Sequence, residues 1–288
     1  MGNETMNELF TLENRIRCEI LSFSGIMGIY ADDLKGHVIR IHPEEEYETA
    51  STIKSFILAD LYSQVHEGKK SLDDMLVYDK SNFINGSGIL RDMVLGLQLT
   101  AKNMAVLMIT LSDNIATNIL IDYLGLEHIN DTIQKLGLAG TRLHRKLGID
   151  GWDKLGTTTP EDYGKLFAML ARRELVSPEA SDDMLEIFKK QKYNSTLSMF
   201  FPPFYLDEDN YGDIDPQVFI ASKSGSMNKC RNDGGIVGTP YGKYVIAIFT
   251  KEFKDKQYHK AHESHIYGAR ASRLLFDQYM ALEGRFQL

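Results

Sequence analysis

The sequence predicts an α/β protein of the α+β type, with a five-stranded antiparallel sheet, flanking N- and C-terminal helices and an inserted all-helical lobe. Three observations predict it. Two β-prone runs lie near the start of the chain and three near its end. The long stretch between them is dominated by helical periodicity. The first and last segments are themselves amphipathic helices. A sheet that uses all five strands must bring the chain ends together, and its apolar faces need covers. The matching division is residues 1–46 plus 191–288 for the sheet unit and 47–190 for the helical unit, with the candidate site between them.

Taken in order, residues 6–21 place Met6, Leu9, Phe10, Ile16, Ile20 and Leu21 near helical spacing. Short β-prone runs at 24–31 and 37–41 flank Asp32-Asp33-Leu34-Lys35-Gly36, which reads as a hairpin turn. Residues 51–66 carry one apolar stripe, Ile53, Phe56, Ile57, Leu61 and Val65, that stops near Gly68. Helices follow at about 88–97, 101–111, 114–124, 127–136, 160–173 and 178–190. Past Lys192, the run Met199-Phe200-Phe201-Pro202-Pro203-Phe204-Tyr205 breaks the helical period, and the acidic stretch 207–215 reads as a loop. Strands return at 217–223, 234–239 and 243–250, the last two joined by the turn Thr239-Pro240-Tyr241-Gly242. A final helix over about 259–282 repeats Ile266, Ala269, Leu274, Leu275 and Tyr279.

The chain has 288 residues, enough for one large domain or two small ones with a sizeable core. Lys+Arg 32 against Asp+Glu 40 gives a net charge of −8, which argues against a nucleic-acid partner, since phosphate must be met by cations. No run approaches the ~20 apolar residues of a membrane span. The N-terminal ten residues show neither a basic nor an apolar stretch of a signal peptide. The expectation is a cytoplasmic protein, or a periplasmic or extracellular one if a leader was removed. Two cysteines, Cys18 and Cys230, are expected to be free thiols.

Three short motifs carry the chemistry. Ser51-Thr52-Ile53-Lys54 begins the helix at 51–66, so Ser51 and Lys54 share a face one turn apart. Alone, Ser51 would read as a plain helix cap. A serine hydroxyl attacks only if a base takes its proton, and Lys54 can do so if burial or a second cation lowers its pKa. Ser112-Asp113-Asn114 lies between two helical runs and alone would be an interhelical turn. In a shared cleft, Ser112 would pass a proton to a leaving nitrogen, and Asn114 would hold a substrate amide or Lys54. Lys223-Ser224-Gly225 ends a strand. There Lys223 and Ser224 would bind a carboxylate, Gly225 would let substrate backbone pass close, and Ser226 would pair its N–H with that of Ser51 as an oxyanion hole. Arg231 is either a second carboxylate anchor or a surface arginine. His259, His262 and His265, at i, i+3 and i+6, are expected to be a solvated helix start and not a metal site.

In this order the motifs resemble those of class A β-lactamases and penicillin-recognising serine hydrolases, across about residues 20–285. The match extends to Leu107-Met108-Ile109, Thr141-Arg142-Leu143-His144-Arg145 and Thr157-Thr158-Thr159-Pro160. The resemblance implies a β-lactamase/transpeptidase-like fold, a small-molecule substrate bearing a carboxylate, an acyl-enzyme on Ser51, and no cofactor. It also exposes departures. The family's deacylating glutamate lies two residues past the arginine matching Arg145, where this chain has Leu147. No Glu occurs from Thr141 to Pro160, the water-holding asparagine has no match, and Gly156 replaces the usual aspartate.

A leucine cannot polarise water, so weak β-lactam turnover is expected. Asp150 or Asp153 is the possible surrogate base. Otherwise Lys54 serves both steps, as in DD-peptidases and esterases of the superfamily. The competing reading is a non-catalytic binder of β-lactam or peptidoglycan fragments.

Overall fold

The computed structural model describes residues 11–148, 154–206 and 217–286. A helix α1 (Leu12–Glu19) leads into strands β1 (Ile26–Asp32) and β2 (Val38–Ile41), then the short β3 (Tyr47–Glu48). A 3-10 turn at Ala50–Ile53 runs directly into α2 (Lys54–His66). Strands β4 (Met75–Val77) and β5 (Gln98–Thr100) precede helices α3 (Ala101–Thr110), α4 (Asn114–Leu124) and α5 (Leu126–Lys135). Next come β6 (Arg142–Leu143), β7 (Gly156–Thr158), α6 (Pro160–Ala171) and α7 (Pro178–Lys189). The chain closes with β8 (Phe219–Ser222), β9 (Gly225–Met227), β10 (Cys230–Thr239), β11 (Gly242–Lys251) and α8 (Glu263–Ala281).

The main sheet runs β2-β1-β11-β10-β8, antiparallel throughout, with β9 also paired to β10. The expected five strands are therefore present, and β9 continues the edge beyond β8 after a break at Lys223-Ser224. β10 begins at Cys230, well before the apolar alternation starts, because Arg231, Asn232 and Asp233 interrupt the hydrophobic pattern while remaining buried.

Side chains alternate across a strand, and β11 shows what this achieves. Tyr244, Ile246 and Ile248 enter one core with Leu12, Ile16, Leu275 and Phe276 of the terminal helices. Val245, Ala247 and Phe249 enter a second core with the helices of the lobe. The sheet is thus covered on both faces, and α1 and α8 pack side by side.

The lobe is mainly helical, but β3, β6 and β7 form one small sheet and β4 and β5 another. These strands are two or three residues long, too short for a period-2 signal. Sequence markers located the helix starts better. Thr159 and Ser177 each accept a backbone N–H of the following turn, with Pro160 and Pro178 in the first helical turn.

The helix expected at about 88–97 is absent, and only a 3-10 turn at Leu90–Asp92 forms there. Gly86, Gly88 and Gly96 adopt positive φ, and the Asp113 carboxylate takes the N–H groups of Ile89 and Leu90 at 2.8 and 2.9 Å. The positive φ of Gly88 and Gly96 breaks a regular helix at both ends of the segment. Met93, Val94 and Leu95 are left exposed. Among the described residues, no helix is long and apolar enough to cross a membrane.

Candidate active site

Ser51 sits in the 3-10 turn, one residue after Ala50, a non-glycine residue held at φ 45°. Such backbone costs roughly 1–3 kcal/mol and persists only where neighbours enforce it. They do so here. Asn232 donates its side-chain amide to Glu48 O at 2.8 Å, Thr49 N–H donates to Gly156 O at 2.9 Å, and Thr52 N–H returns to Thr49 O at 3.1 Å. In a 3-10 turn residues i and i+3 eclipse, so Ser51 and Lys54 share a face although Ser51 precedes α2.

Lys54 is fully buried. Its ammonium donates to Ser112 O at 2.7 Å, Ser112 Oγ at 3.0 Å and Asn114 Oδ1 at 2.9 Å. Burial holds its pKa well below the ordinary lysine value, and the nearby Lys223 charge pushes the same way against Asp113. The Ser51 hydroxyl makes no hydrogen bond with the described residues. It opens instead onto a cleft of about 570 Å³, which Ala50, Asn114, Leu147, Leu155, Ser226 and Tyr258 help to line.

Ser112 adopts φ 53°, which turns its hydroxyl toward Lys54 between α3 and α4. Asp113 makes this possible. One oxygen caps α4 through Ile115 and Ala116 N–H at 2.9 and 3.0 Å, while the other holds the 89–90 turn. Asn114 N–H donates to Ser87 O at 3.0 Å. The motif is at once an interhelical turn and a polar cluster.

Lys223 is also fully buried, its ammonium on Ser224 O at 2.6 Å. Burial brings its pKa down to about 7. Tyr163 of α6 donates its hydroxyl to Lys223 O at 2.9 Å. Ser224 is buried, with the Gln191 amide at 3.4 Å from its hydroxyl. Gly225 has close neighbours within the chain. A Cβ there would meet Thr49 O and Thr52 N at 2.7 Å and Ser51 N at 2.8 Å, so the lack of a side chain lets the turn carrying Ser51 approach.

Arg231 is not a surface arginine. It is 3% exposed, donates to the carbonyls of Met227, Cys230 and Gln257, and stacks 4.1 Å from the Tyr258 ring centroid. Its guanidinium is occupied in tying the β9–β10 turn to the loop before α8. Cys230 is buried and its thiol is pushed up to about 12 by burial, so it is an inert side chain, whereas Cys18 is exposed.

Two of the three histidines differ from expectation. His259 is exposed, but His262 and His265 are buried. His262 caps α8 by accepting Ser264 N–H, and His265 pairs with Thr196 Oγ1 at 2.8 Å. They are structural, and no group of His, Cys, Asp or Glu among the described residues is arranged to hold a metal.

Leu147 lines the cleft. Asn118 grips both its backbone groups, accepting the N–H and donating to the carbonyl at 2.9 Å each. Asp150 and Asp153 lie outside the described residues. Sequence reasoning missed Asn118, Tyr163 and Asn232, which act on backbone atoms and so leave no motif. The one available signal was polar residues embedded in otherwise apolar helices and strands.

A profile of the β-lactamase enzyme family matches residues 11–279. A curated β-lactamase from Bacteroides uniformis is 24% identical over an alignment covering 94% of this chain and 92% of its own. The crystal structure of a β-lactamase from Sphaerobacter thermophilus is similar at 27% identity and TM-score 0.82, covering 95% of this chain and 98% of that one. A structure of PBP-A, a leucine-to-glutamate mutant in an acyl-enzyme complex with penicillin G, is similar at 26% identity and TM-score 0.80, covering 94% and 96%.

Proposed function

The chain belongs to the β-lactamase enzyme family and is a hydrolase, and from that premise we propose that it forms an acyl-enzyme on Ser51 and releases β-lactam acyl groups slowly. The substrate is a small molecule with a carboxylate, either a β-lactam or a related amide or ester. The cleft would lie between a sheet unit, residues 1–46 plus 191–288, and a helical unit, residues 47–190.

The observation that carries the reading is the state of Lys54: buried, depressed in pKa and bonded to Ser112 Oγ. In its neutral form Lys54 takes the Ser51 proton as Oγ bonds to the substrate carbonyl carbon. The N–H groups of Ser51 and Ser226 receive the oxyanion. The C–N bond then breaks, and the proton passes from Lys54 through Ser112 Oγ to the leaving nitrogen. Asn114 orients Lys54. Ser224 meets the substrate carboxylate, with the Lys223 charge directly behind it, while Arg231 braces the rim beside Tyr258.

Release requires water to be activated, and Leu147 offers no acid or base at the cleft wall. This favours a second reading within the same chemistry, a DD-peptidase-like or esterase-like penicillin-binding protein whose natural acyl group leaves by way of Lys54. Intact-protein mass spectrometry after brief exposure to benzylpenicillin tests both. The expected result is one persistent adduct, lost in Ser51→Ala. Many rapid turnovers of a chromogenic cephalosporin would overturn slow release and point to Asp150 or Asp153. Equal, near-zero rates of wild type and Ser51→Ala on p-nitrophenyl esters and D-alanyl peptides, with no adduct, would leave a non-catalytic binder.

A further inference from the structure

We propose that Glu48 is a positioning residue for the acylation step, its side-chain oxygen holding the strained residue before the nucleophile against the returning cleft loop. This rests on the reading of Ser51 as the nucleophile. Glu48 belongs to no recognised motif; it is merely the residue that pairs with Thr157 where β3 meets β7.

The geometry is specific. A single oxygen, Oε1, accepts the N–H of Leu155 at 3.0 Å and that of Ala50 at 3.3 Å. Ala50 is the residue at φ 45°, and it lines the cleft together with Ser51, the next residue. Leu155 is a cleft-lining residue at the far end of the loop that carries Leu147. One acceptor therefore fixes two cleft walls relative to each other. Without it, the Ala50 N–H, in a residue only 2% exposed, would lose its partner, and the strained turn would lose a restraint.

The surroundings bear on the kind of acceptor required. Glu48 lines a groove beside the cleft with Glu46, Lys154, Lys229, Lys251, Glu252 and Lys256, and burial pushes its carboxyl above the ordinary value. The Lys154 ammonium is bound to Glu46 at 2.6 Å and not to Glu48. Burial opposes charge on Glu48 more than the N–H donors and the Lys154 charge favour it, and the accepting oxygen is what the turn uses. A neutral amide, which presents the same oxygen, should serve.

The experiment compares acylation of wild type, Glu48→Gln and Glu48→Ala by benzylpenicillin, resolving the rate constant at saturation from the dissociation constant of the pre-covalent complex, with thermal melts as the control for folding. For Glu48→Ala the expected rate constant is about ten- to a hundredfold lower, as the loss of a pair of buried acceptor bonds implies. Its dissociation constant should move by less than about threefold. Glu48→Gln should stay within about threefold of wild type in both. If Glu48→Ala does not fold, Glu48→Met keeps the side-chain length without an acceptor, and the same comparison decides. An alanine or methionine variant that acylates like wild type overturns the proposal, as does a glutamine variant as slow as alanine. An adduct that survives Ser51→Ala overturns instead the nucleophile assignment, and this proposal with it.

Discussion

The two walls of the cleft are built on opposite principles. Around Lys54, polar groups converge: three acceptor contacts from Ser112 and Asn114 lie within 3.0 Å of its nitrogen, and Asp113 ties their turn down through four backbone N–H groups. On another side of the cleft, the described residues of 141–155 contribute Leu147 and Leu155, with Arg145 and Gly148 beside them. Behind Leu147, Asn118 grips its backbone N–H and carbonyl. One side concentrates polar contacts on a buried amine, whereas the other offers leucines and an arginine but no carboxylate among the described residues. A protein so divided should make an acyl bond readily and break it reluctantly.

The sharpest break in that contrast is on the polar wall. Lys54→Met should lower the acylation rate constant by about 10³-fold, the scale of a lost general base, measured by quenched-flow mass spectrometry. In the wild type the depressed Lys54 must be neutral to act, and a base loses its proton as pH rises. Acylation should therefore increase with pH through the lowered Lys54 value and be flat well above it. A rate that falls with pH over that range would remove Lys54 from the role.

The side that carries Leu147 can be tested in the opposite direction. Leu147→Glu places a carboxyl where Asn118 already fixes the backbone. Release of the penicilloyl group should accelerate by about 10²-fold, seen as a shorter adduct lifetime with little change in its formation. No change in lifetime would show that the missing acid is not what slows release.

The smallest expected effect concerns the scaffold beneath the polar wall. Asp113→Ala leaves four N–H groups without their acceptor, and should cost about 2–4 kcal/mol of stability, or a Tm about 5–10 °C lower. A calorimetric Tm unchanged within error would mean that water replaces the carboxylate there.

Much of this molecule is local and therefore legible in the sequence. The spacing of Ser51 and Lys54 puts them on one face in either a 3-10 turn or an α-helix. Thr159-Pro160 and Ser177-Pro178 start helices because their hydroxyls and proline rings act within one turn. The β-prone run 243–250 predicts a strand, and β11 is one, buried on both faces. Such features depend on neighbours a few residues away.

What only the tertiary structure decided involves partners far apart in the chain. Residues 88–97 have helical spacing, but Gly86, Gly88 and Gly96 turn the chain, and Asp113 anchors the resulting turn from across the lobe. Gly225 serves the approach of residues 49–52, Arg231 faces backbone carbonyls, and two of the three histidines are buried. Glu48 gained its place between Ala50 and Leu155 in the same way. The reason is physical: periodicity fixes which face a side chain occupies, whereas its partner is fixed by how elements distant in sequence pack, and backbone groups carry no mark of that in the sequence.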